Sequence, residues 1–220
     1  MSKRPTTRDP AKRLKTAKGR KTSSTKWLNR QLNDPYVAKA KREGMRSRAA
    51  YKIIEINEKL NFLEKGQVIV DLGAAPGGWS QVAAEKGARV IGLDLLEIDP
   101  MPGCTFLQMD FMDDDAPDKL LTEIGEDQVD AVISDIAPNT IGHKSTDHLR
   151  IMALVEAAYY FAKDVLKEDG VFIAKVFQGG AQNTLLAEMK KDFKVTKHIK
   201  PPASRSDSSE TYLIATGFKG

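Results

Sequence analysis

From residue 47 onward the apolar positions of this chain follow two alternating periods, and before residue 26 large apolar residues are nearly absent. Between Ser47 and Leu63 the residues Ala50, Ile53, Ile54, Ile56, Leu60 and Leu63 recur at helical spacing, with Glu55, Glu58 and Lys59 on the other side. That spacing predicts an amphipathic helix. After Lys65-Gly66, strand-like and helix-like stretches alternate: Val68 to Leu72, Ser80 to Lys86, Arg89 to Leu93, Thr105 to Met109, Pro117 to Ile124, Val129 to Ser134, Asp147 to Leu166 and Val171 to Phe177. A βαβ rhythm of this kind predicts an α/β fold built on a doubly wound, mostly parallel sheet with helices on both faces. The last two runs, Phe193 to Ile199 and Glu210 to Phe218, are joined by the loop from Pro201 to Ser209 with no helix between them. They predict an antiparallel pair closing one edge, and no internal repeat is visible.

Charge sharpens the picture of the N-terminus. Of the 220 residues, the first 50 hold 16 Lys+Arg against 3 Asp+Glu, which leaves 18 against 27 for the other 170. A basic arm on an acidic body is the electrostatic footprint of a polyanion partner, and the arm lacks the amphipathic repeat of a membrane-surface helix. Residues 1 to 25 carry too little apolar surface to order themselves and are expected to form a disordered tail. From Lys26 to Arg48 the residues Trp27, Leu28, Leu32, Tyr36 and Val37 stand among cations, which predicts a short helix and loop laid on the body. Mixed aromatic and basic residues suit RNA, where rings stack on bases and cations meet phosphates; Trp27 serves equally well as a packing anchor. Cys104 is the single cysteine, which excludes an intramolecular disulfide, and with three histidines besides it no zinc centre is expected. No apolar run is long enough to span a bilayer or form a secretory signal, so a cytoplasmic protein without membrane contact is expected. No apolar interface is evident, which makes a monomer the default.

Chemistry concentrates at the predicted strand ends. Ligands of open α/β sheets sit outside the carboxyl ends of the strands. The first such end reads Asp71-Leu72-Gly73-Ala74-Ala75-Pro76-Gly77-Gly78-Trp79-Ser80, where small residues let a ligand lie against the backbone. Ala75 stands where a dinucleotide fingerprint needs its second glycine, and no Walker lysine follows, so a nicotinamide cofactor and a nucleoside triphosphate are both disfavoured. Asp94 closes the next strand, about 20 residues on, at the place for an acid that accepts ribose hydroxyls. Asp110 closes the third, where an acid can accept from an adenine amino group. Together the three turns suit an adenosine; each acid alone would read as a cap or solvated turn. Lys175 interrupts the otherwise apolar run Val171 to Phe177, and an ammonium there is either paired for a functional purpose or snorkels from an edge.

The strings DLGAAPGGWSQVA, SDIAPN, GVFIAKVFQGG and SSETYLIATGF occur in this order, and over roughly Trp27 to Phe218 the chain resembles the FtsJ-type ribose 2′-O-methyltransferases, in particular the bacterial enzymes acting on 23S ribosomal RNA. The resemblance implies a Rossmann-like methyltransferase sheet of seven strands with an antiparallel last strand; the chain's 220 residues suit one such domain, spanning residues 26 to 220, plus the tail. It implies S-adenosylmethionine as methyl donor, held by Gly73, Gly77, Trp79, Asp94, Asp110 and Asp135. It also implies a catalytic group of Lys52, Asp135, Lys175 and Glu210, and a uridine of 23S ribosomal RNA, in the assembling 50S subunit, as target.

Methyl transfer to a ribose hydroxyl requires the oxygen to be aimed along the methyl–sulfur axis and to lose its proton. Lys175 is the candidate base; such a lysine works near neutrality only if burial or a second cation lowers its affinity for the proton, and Lys52 is that candidate cation. Asp135 and Glu210 act in the opposite sense, so the four are expected to titrate as a set. Asp135 is expected to orient Lys175, and Glu210 to hold Lys52 or a ribose hydroxyl. On an amphipathic helix Lys52 alone would read as a solvated residue. The polar stretch Asn139 to Thr146 is a candidate to close over RNA. The same chemistry on transfer RNA, and a non-catalytic RNA-binding assembly factor, are the alternatives.

Overall fold

A computed structural model describes residues 22–137, 144–177 and 183–220. Its centre is a seven-stranded sheet of β1 (Val68–Leu72), β2 (Arg89–Asp94), β3 (Cys104–Gln108), β4 (Val129–Ser134), β5 (Leu166–Phe177), β6 (Phe193–Ile199) and β7 (Glu210–Phe218), in the order β3-β2-β1-β4-β5-β7-β6. The first five strands run parallel; β7 is antiparallel to both β5 and β6. Chain order reverses between β1 and β4, where such sheets bind ligands. The predicted antiparallel pair exists, yet β7 inserts between β5 and β6 and leaves β6 at the edge. That placement matters, because it brings Glu210 and Tyr212 beside Lys175.

Side-chain alternation divides the core. Val70, Leu72, Ile91, Leu93, Val132, Phe172, Ala174 and Leu213 face α5 (Ala116–Ile124), α6 (Lys144–Val165) and α7 (Asn183–Asp192). Ile69, Val90, Ile133, Ile173, Tyr212 and Ile214 face α3 (Ala50–Leu60) and α4 (Gly78–Glu85). The period of two then assigns Asp71 on β1, Asp135 just beyond β4, and Lys175 on β5 to the α3 side.

At the N-terminus the single expected helix is two, α1 (Thr22–Leu32) and α2 (Pro35–Glu43). Asp34 caps α2 by accepting from the Tyr36 amide, Pro35 supplies the first turn, and Gly44 ends it in the left-handed conformation. The described part of the expected tail, residues 22–25, lies in α1, and residues 1–21 fall outside the described residues. Most of the stretch expected to close over RNA, residues 139–143, falls outside them too, as do Gln178 to Gly180. Helix α7 was not expected, since in NTLLAEMKKD few positions signal burial: Leu185 and Met189 are buried in the core and Leu186 packs against it half-buried. Among the described residues no helix is long and apolar enough to cross a membrane.

Candidate active site

At the reversal of strand order lies a cavity of about 260 Å³, lined by Gly73 and Ala75 beyond β1, Asp94 to Leu96 at the end of β2, Met109 to Phe111 beyond β3, and Asp135 to Ala137 beyond β4. Leu93, Phe111 and Leu154 supply apolar walls, and Asp94, Asp110 and Asp135 supply three carboxylates. Gly73 adopts φ 79°, and a Cβ there would come within 2.7 Å of the Ile136 side chain. The turn therefore needs glycine for both its conformation and its close approach. Asp94 fixes the turns around the cavity: Oδ2 accepts from the Ala75 amide at 3.0 Å and Oδ1 from the Leu96 amide at 2.9 Å. Asp110 likewise accepts from the Met112 amide at 3.0 Å. Each oxygen keeps a lone pair for a further donor.

Beside this cavity the structure brings together Lys52, Asp135, Lys175 and Glu210 from four different elements. Lys175 stands opposite Tyr212 in the β5–β7 register and Phe177 opposite Glu210, so Lys175, Tyr212 and Glu210 share a face. Asp135 follows Ser134, the partner of Ala174, which places it next to Lys175. Helix α3 lies over them and directs Lys52, Glu55 and Ile56 inward on one stripe. The Lys175 ammonium donates to the Asp135 carbonyl at 2.6 Å and lies 3.1 Å from Asp135 Oδ1. The Lys52 ammonium lies 2.9 Å from Glu210 Oε1 and 3.4 Å from Asp135 Oδ2. It also donates to the Tyr212 hydroxyl at 2.8 Å. Lys52 and Lys175 are only 6% and 7% exposed, so these partners replace nearly all of their hydration.

Two ammonium groups and two carboxylates balance in charge. Burial raises the Asp135 carboxyl, but Lys175 and Lys52 outweigh it and hold the group at about 2, well below the usual carboxylate range. Tyr212 is pushed well above its ordinary value by burial and by the carboxylates of Asp135 and Glu210, so it keeps its proton. Its hydroxyl donates to Asp135 Oδ1 at 2.7 Å, within 3.3 Å of Glu210 Oε1. Sequence reasoning missed Tyr212, although it stands two residues after Glu210 on the same strand face. An alternating apolar strand gives no sign that one ring carries its hydroxyl into a charged group. Asp71 lies on the same sheet face, fully buried, and is pushed up to about 7 by burial, with Asp135 and Asp94 adding to the rise against the hydrogen bond from Ser80.

Two residues assigned to the donor stand elsewhere. Trp79 is 3% exposed in the core, its indole N–H donating to the Ala49 carbonyl at 2.9 Å and its ring 5.5 Å from that of Tyr212. It packs α4 against α3 and β7 and does not line the cavity. The same indole that resembles a cofactor contact in sequence is large and apolar enough to fill this junction. Gly77 precedes α4 with φ 96° against Arg46, also off the cavity wall. Arg46 in turn ties the N-terminal segment to the cavity turns, donating to the carbonyls of Asp99 at 2.6 Å and Pro100 at 2.9 Å. Among the described residues no group of three or more His, Cys, Asp or Glu is placed to hold a metal ion.

A family model for FtsJ-like methyltransferases matches residues 45–218. A protein of Xanthobacter autotrophicus called ribosomal RNA large subunit methyltransferase E is 58% identical over 214 residues, covering 94% of this chain and 84% of its own length. One of Azorhizobium caulinodans with the same name is 59% identical over 214 residues, with 94% and 89% covered. Among solved structures, a Plasmodium falciparum protein assigned as a ribosomal RNA methyltransferase superposes with a TM-score of 0.71 at 34% identity, over 80% of this chain and 99% of that one.

Proposed function

Because the chain belongs to the FtsJ-like methyltransferase family, we propose that it methylates the ribose 2′-hydroxyl of a uridine in 23S ribosomal RNA, within the assembling large subunit, using S-adenosylmethionine. Methyl transfer and large-subunit ribosomal RNA are in the names of the close relatives, and the ribose 2′-oxygen and the uridine come from the resemblance of the motifs. One residue carries the structural case: Asp135 is both a wall of the cavity and the hub of the charged group. A donor held at the first is thereby adjacent to groups that handle protons at the second.

The cavity fits the donor's chemistry. Its apolar walls suit an adenine, Asp94 and Asp110 offer acceptors for hydroxyl and amino donors, and Asp135 offers a negative charge to a cationic ligand. Bound there, S-adenosylmethionine would supply an electrophilic methyl group. Lys175, fixed by two oxygens of Asp135, is the group that orients the ribose hydroxyl; once its ammonium has released a proton to solvent, the free amine takes the hydroxyl's proton as the methyl group is transferred. Glu210 holds Lys52, whose charge offsets the carboxylates of Glu210 and Asp135. Tyr212 links both pairs through one hydroxyl. The cationic segments on either side of residue 26 would follow phosphate, while the acidic body docks elsewhere on the particle. A cytoplasmic monomer acting on ribosomal particles completes this reading.

The test is transfer of labelled methyl to large subunits that lack the modification, followed by nuclease mapping, with Lys175→Ala and Lys175→Arg alongside. Label on a ribose 2′-oxygen, lost in Lys175→Ala, is expected. If proton removal dominates, Lys175→Arg is as inactive as Lys175→Ala, since a guanidinium is not deprotonated; substantial activity in Lys175→Arg would assign the lysine to positioning. Transfer to transfer RNA alone would keep the chemistry and overturn the substrate. Tight RNA binding with no transfer would overturn the enzyme.

A further inference from the structure

We propose that Ser204 is a positioning residue for the reaction, acting through Glu210; the proposal rests on the reading that Lys52, Asp135, Lys175 and Glu210 carry out the transfer. Ser204 lies in the connection between β6 and β7 and is 1% exposed, unusual for a serine in a hairpin loop. Its hydroxyl donates to Glu210 Oε1 at 2.9 Å. The same oxygen receives Lys52 at 2.9 Å and lies 3.3 Å from the Tyr212 hydroxyl. Two donors, Ser204 and Lys52, thus converge on one carboxylate oxygen, with the Tyr212 hydroxyl beside it. A glutamate has three side-chain torsions, and a carboxylate met by Lys52 alone could pivot about that single contact. The serine restricts that freedom by adding a second contact to the same oxygen.

The loop that presents Ser204 is itself held from the body of the protein. The Ala203 amide donates to Glu55 Oε2 at 2.6 Å, and the Ala203 carbonyl accepts from the Arg48 guanidinium at 2.6 Å. Glu55 is 3% exposed and also accepts from the Tyr36 hydroxyl at 2.8 Å. Arg48 is steadied by Asp34, at 2.9 Å from its Nε. Both backbone polar groups of Ala203 are therefore clamped by charged side chains of the α2–α3 segment, and the next residue aims its hydroxyl at Glu210. Downstream, Ser208 accepts from the Glu210 amide at 3.1 Å, which fixes the backbone of the same glutamate. A connection that only joined two strands would need none of this. Without Ser204 the Glu210 carboxylate turns, Lys52 loses its fixed counter-ion, and the spacing between Lys52 and Asp135 loosens; misplacement of this kind lowers turnover more than binding.

The experiment is a double-mutant cycle on the full chain, with Ser204→Ala, Glu210→Ala and both together, measuring kcat and KM for large subunits and the melting temperature of each variant. Ser204→Ala is expected to lower kcat roughly tenfold, the scale of one hydrogen bond to a charged group. KM is expected to stay within about twofold, as befits an interaction that matters in the transition state. In the Glu210→Ala background the same change is expected to do nothing. Wild-type activity in Ser204→Ala, or an equal loss in both backgrounds, overturns the proposal. Undiminished activity in Glu210→Ala overturns instead the role given to the charged group. If Ser204→Ala melts too early to assay, Ser204→Cys, close in shape and a weak donor, takes its place in the same cycle with the same outcomes.

Discussion

Buried lysines are tolerated in this protein because each meets several oxygens at once, and one hydroxyl, that of Tyr212, closes the arrangement. It accepts from Lys52 at 2.8 Å and donates to Asp135 at 2.7 Å. Since the phenol stays protonated, it acts as a neutral link and leaves the charge balance of the group unchanged. Tyr212→Phe keeps the ring that packs on Trp79 and removes only this link. Lys52 then retains Glu210 at 2.9 Å and Asp135 at 3.4 Å, so the fold should survive with a loss of about 1–3 kcal/mol. Methyl transfer is expected to drop at least about tenfold, with donor affinity within about threefold of the parent, because the hydroxyl lies in the charged group and outside the cavity wall. Calorimetric titration with S-adenosylhomocysteine alongside the transfer assay checks both halves. A parallel collapse of donor binding would mean that the two regions cannot be separated.

Turns between elements define the donor side of the site. At the end of β1 the Gly73 amide donates to the Leu93 carbonyl at 2.8 Å while its α-carbon faces the backbone of Ile136, leaving no room for a methyl group. Gly73→Ala therefore combines a left-handed alanine with overpacking, a destabilisation of about 2–5 kcal/mol, and should weaken donor binding along with it. Thermal unfolding and titration of the variant test this; parental donor affinity would remove the β1 turn from the site. The cavity positions of Gly73, Asp94 and Asp110 were legible from sequence because such sheets open at strand ends, and the strand ends are marked by where apolar runs stop; Asp135 came through resemblance. Lys52 was legible only through resemblance, since helical periodicity cannot tell a solvated lysine from one drawn under a sheet edge by Glu210 and Tyr212. The insertion of β7 between β5 and β6 was invisible for a related reason: local pattern identifies strands, while their order is decided by long-range pairing. For Trp79, expected at the donor from its glycine-rich turn, nothing in the sequence signals that the ring packs between α4, α3 and β7. The clamp on Ala203 left no trace either, because a backbone amide and carbonyl look alike in every sequence.

For the molecule as a whole, two features couple stability and binding to solution conditions. Asp71 is fully buried on the central strand; Oδ2 accepts from Ser80 at 2.6 Å, while Oδ1 is buried without a hydrogen-bond partner. Burial lifts it to about 7 in the folded state, against about 3.9 for an unperturbed aspartate. Between those values the unfolded chain has released this proton and the folded chain has kept it, so stability falls as pH rises from about 4 to about 7 and levels off above. Asp135, depressed to about 2, acts in a separate window, its contribution lost only as pH falls below about 4. Asp71→Asn keeps an acceptor for Ser80 and should abolish the upper slope, gaining at most about 4 kcal/mol over the parent at pH 8 and little at pH 4. Denaturant unfolding across that range decides it, and an equal offset at both ends would mean the side chain is not titrating there. The second feature is the division of charge between arm and body. Residues 1–21 contain 9 Lys+Arg and one Asp, in a chain whose last 170 residues are net acidic. Each phosphate these cations neutralise releases counterions, and every phosphate they no longer neutralise flattens the dependence of log affinity on log salt by about 0.7–0.9. Deleting residues 1–21 should therefore lower the salt slope of RNA binding by several such increments while leaving donor affinity and melting temperature near those of the full chain. Binding measured at several salt concentrations gives the slope directly; an unchanged slope would move the whole phosphate-binding role to the cations from Lys26 onward.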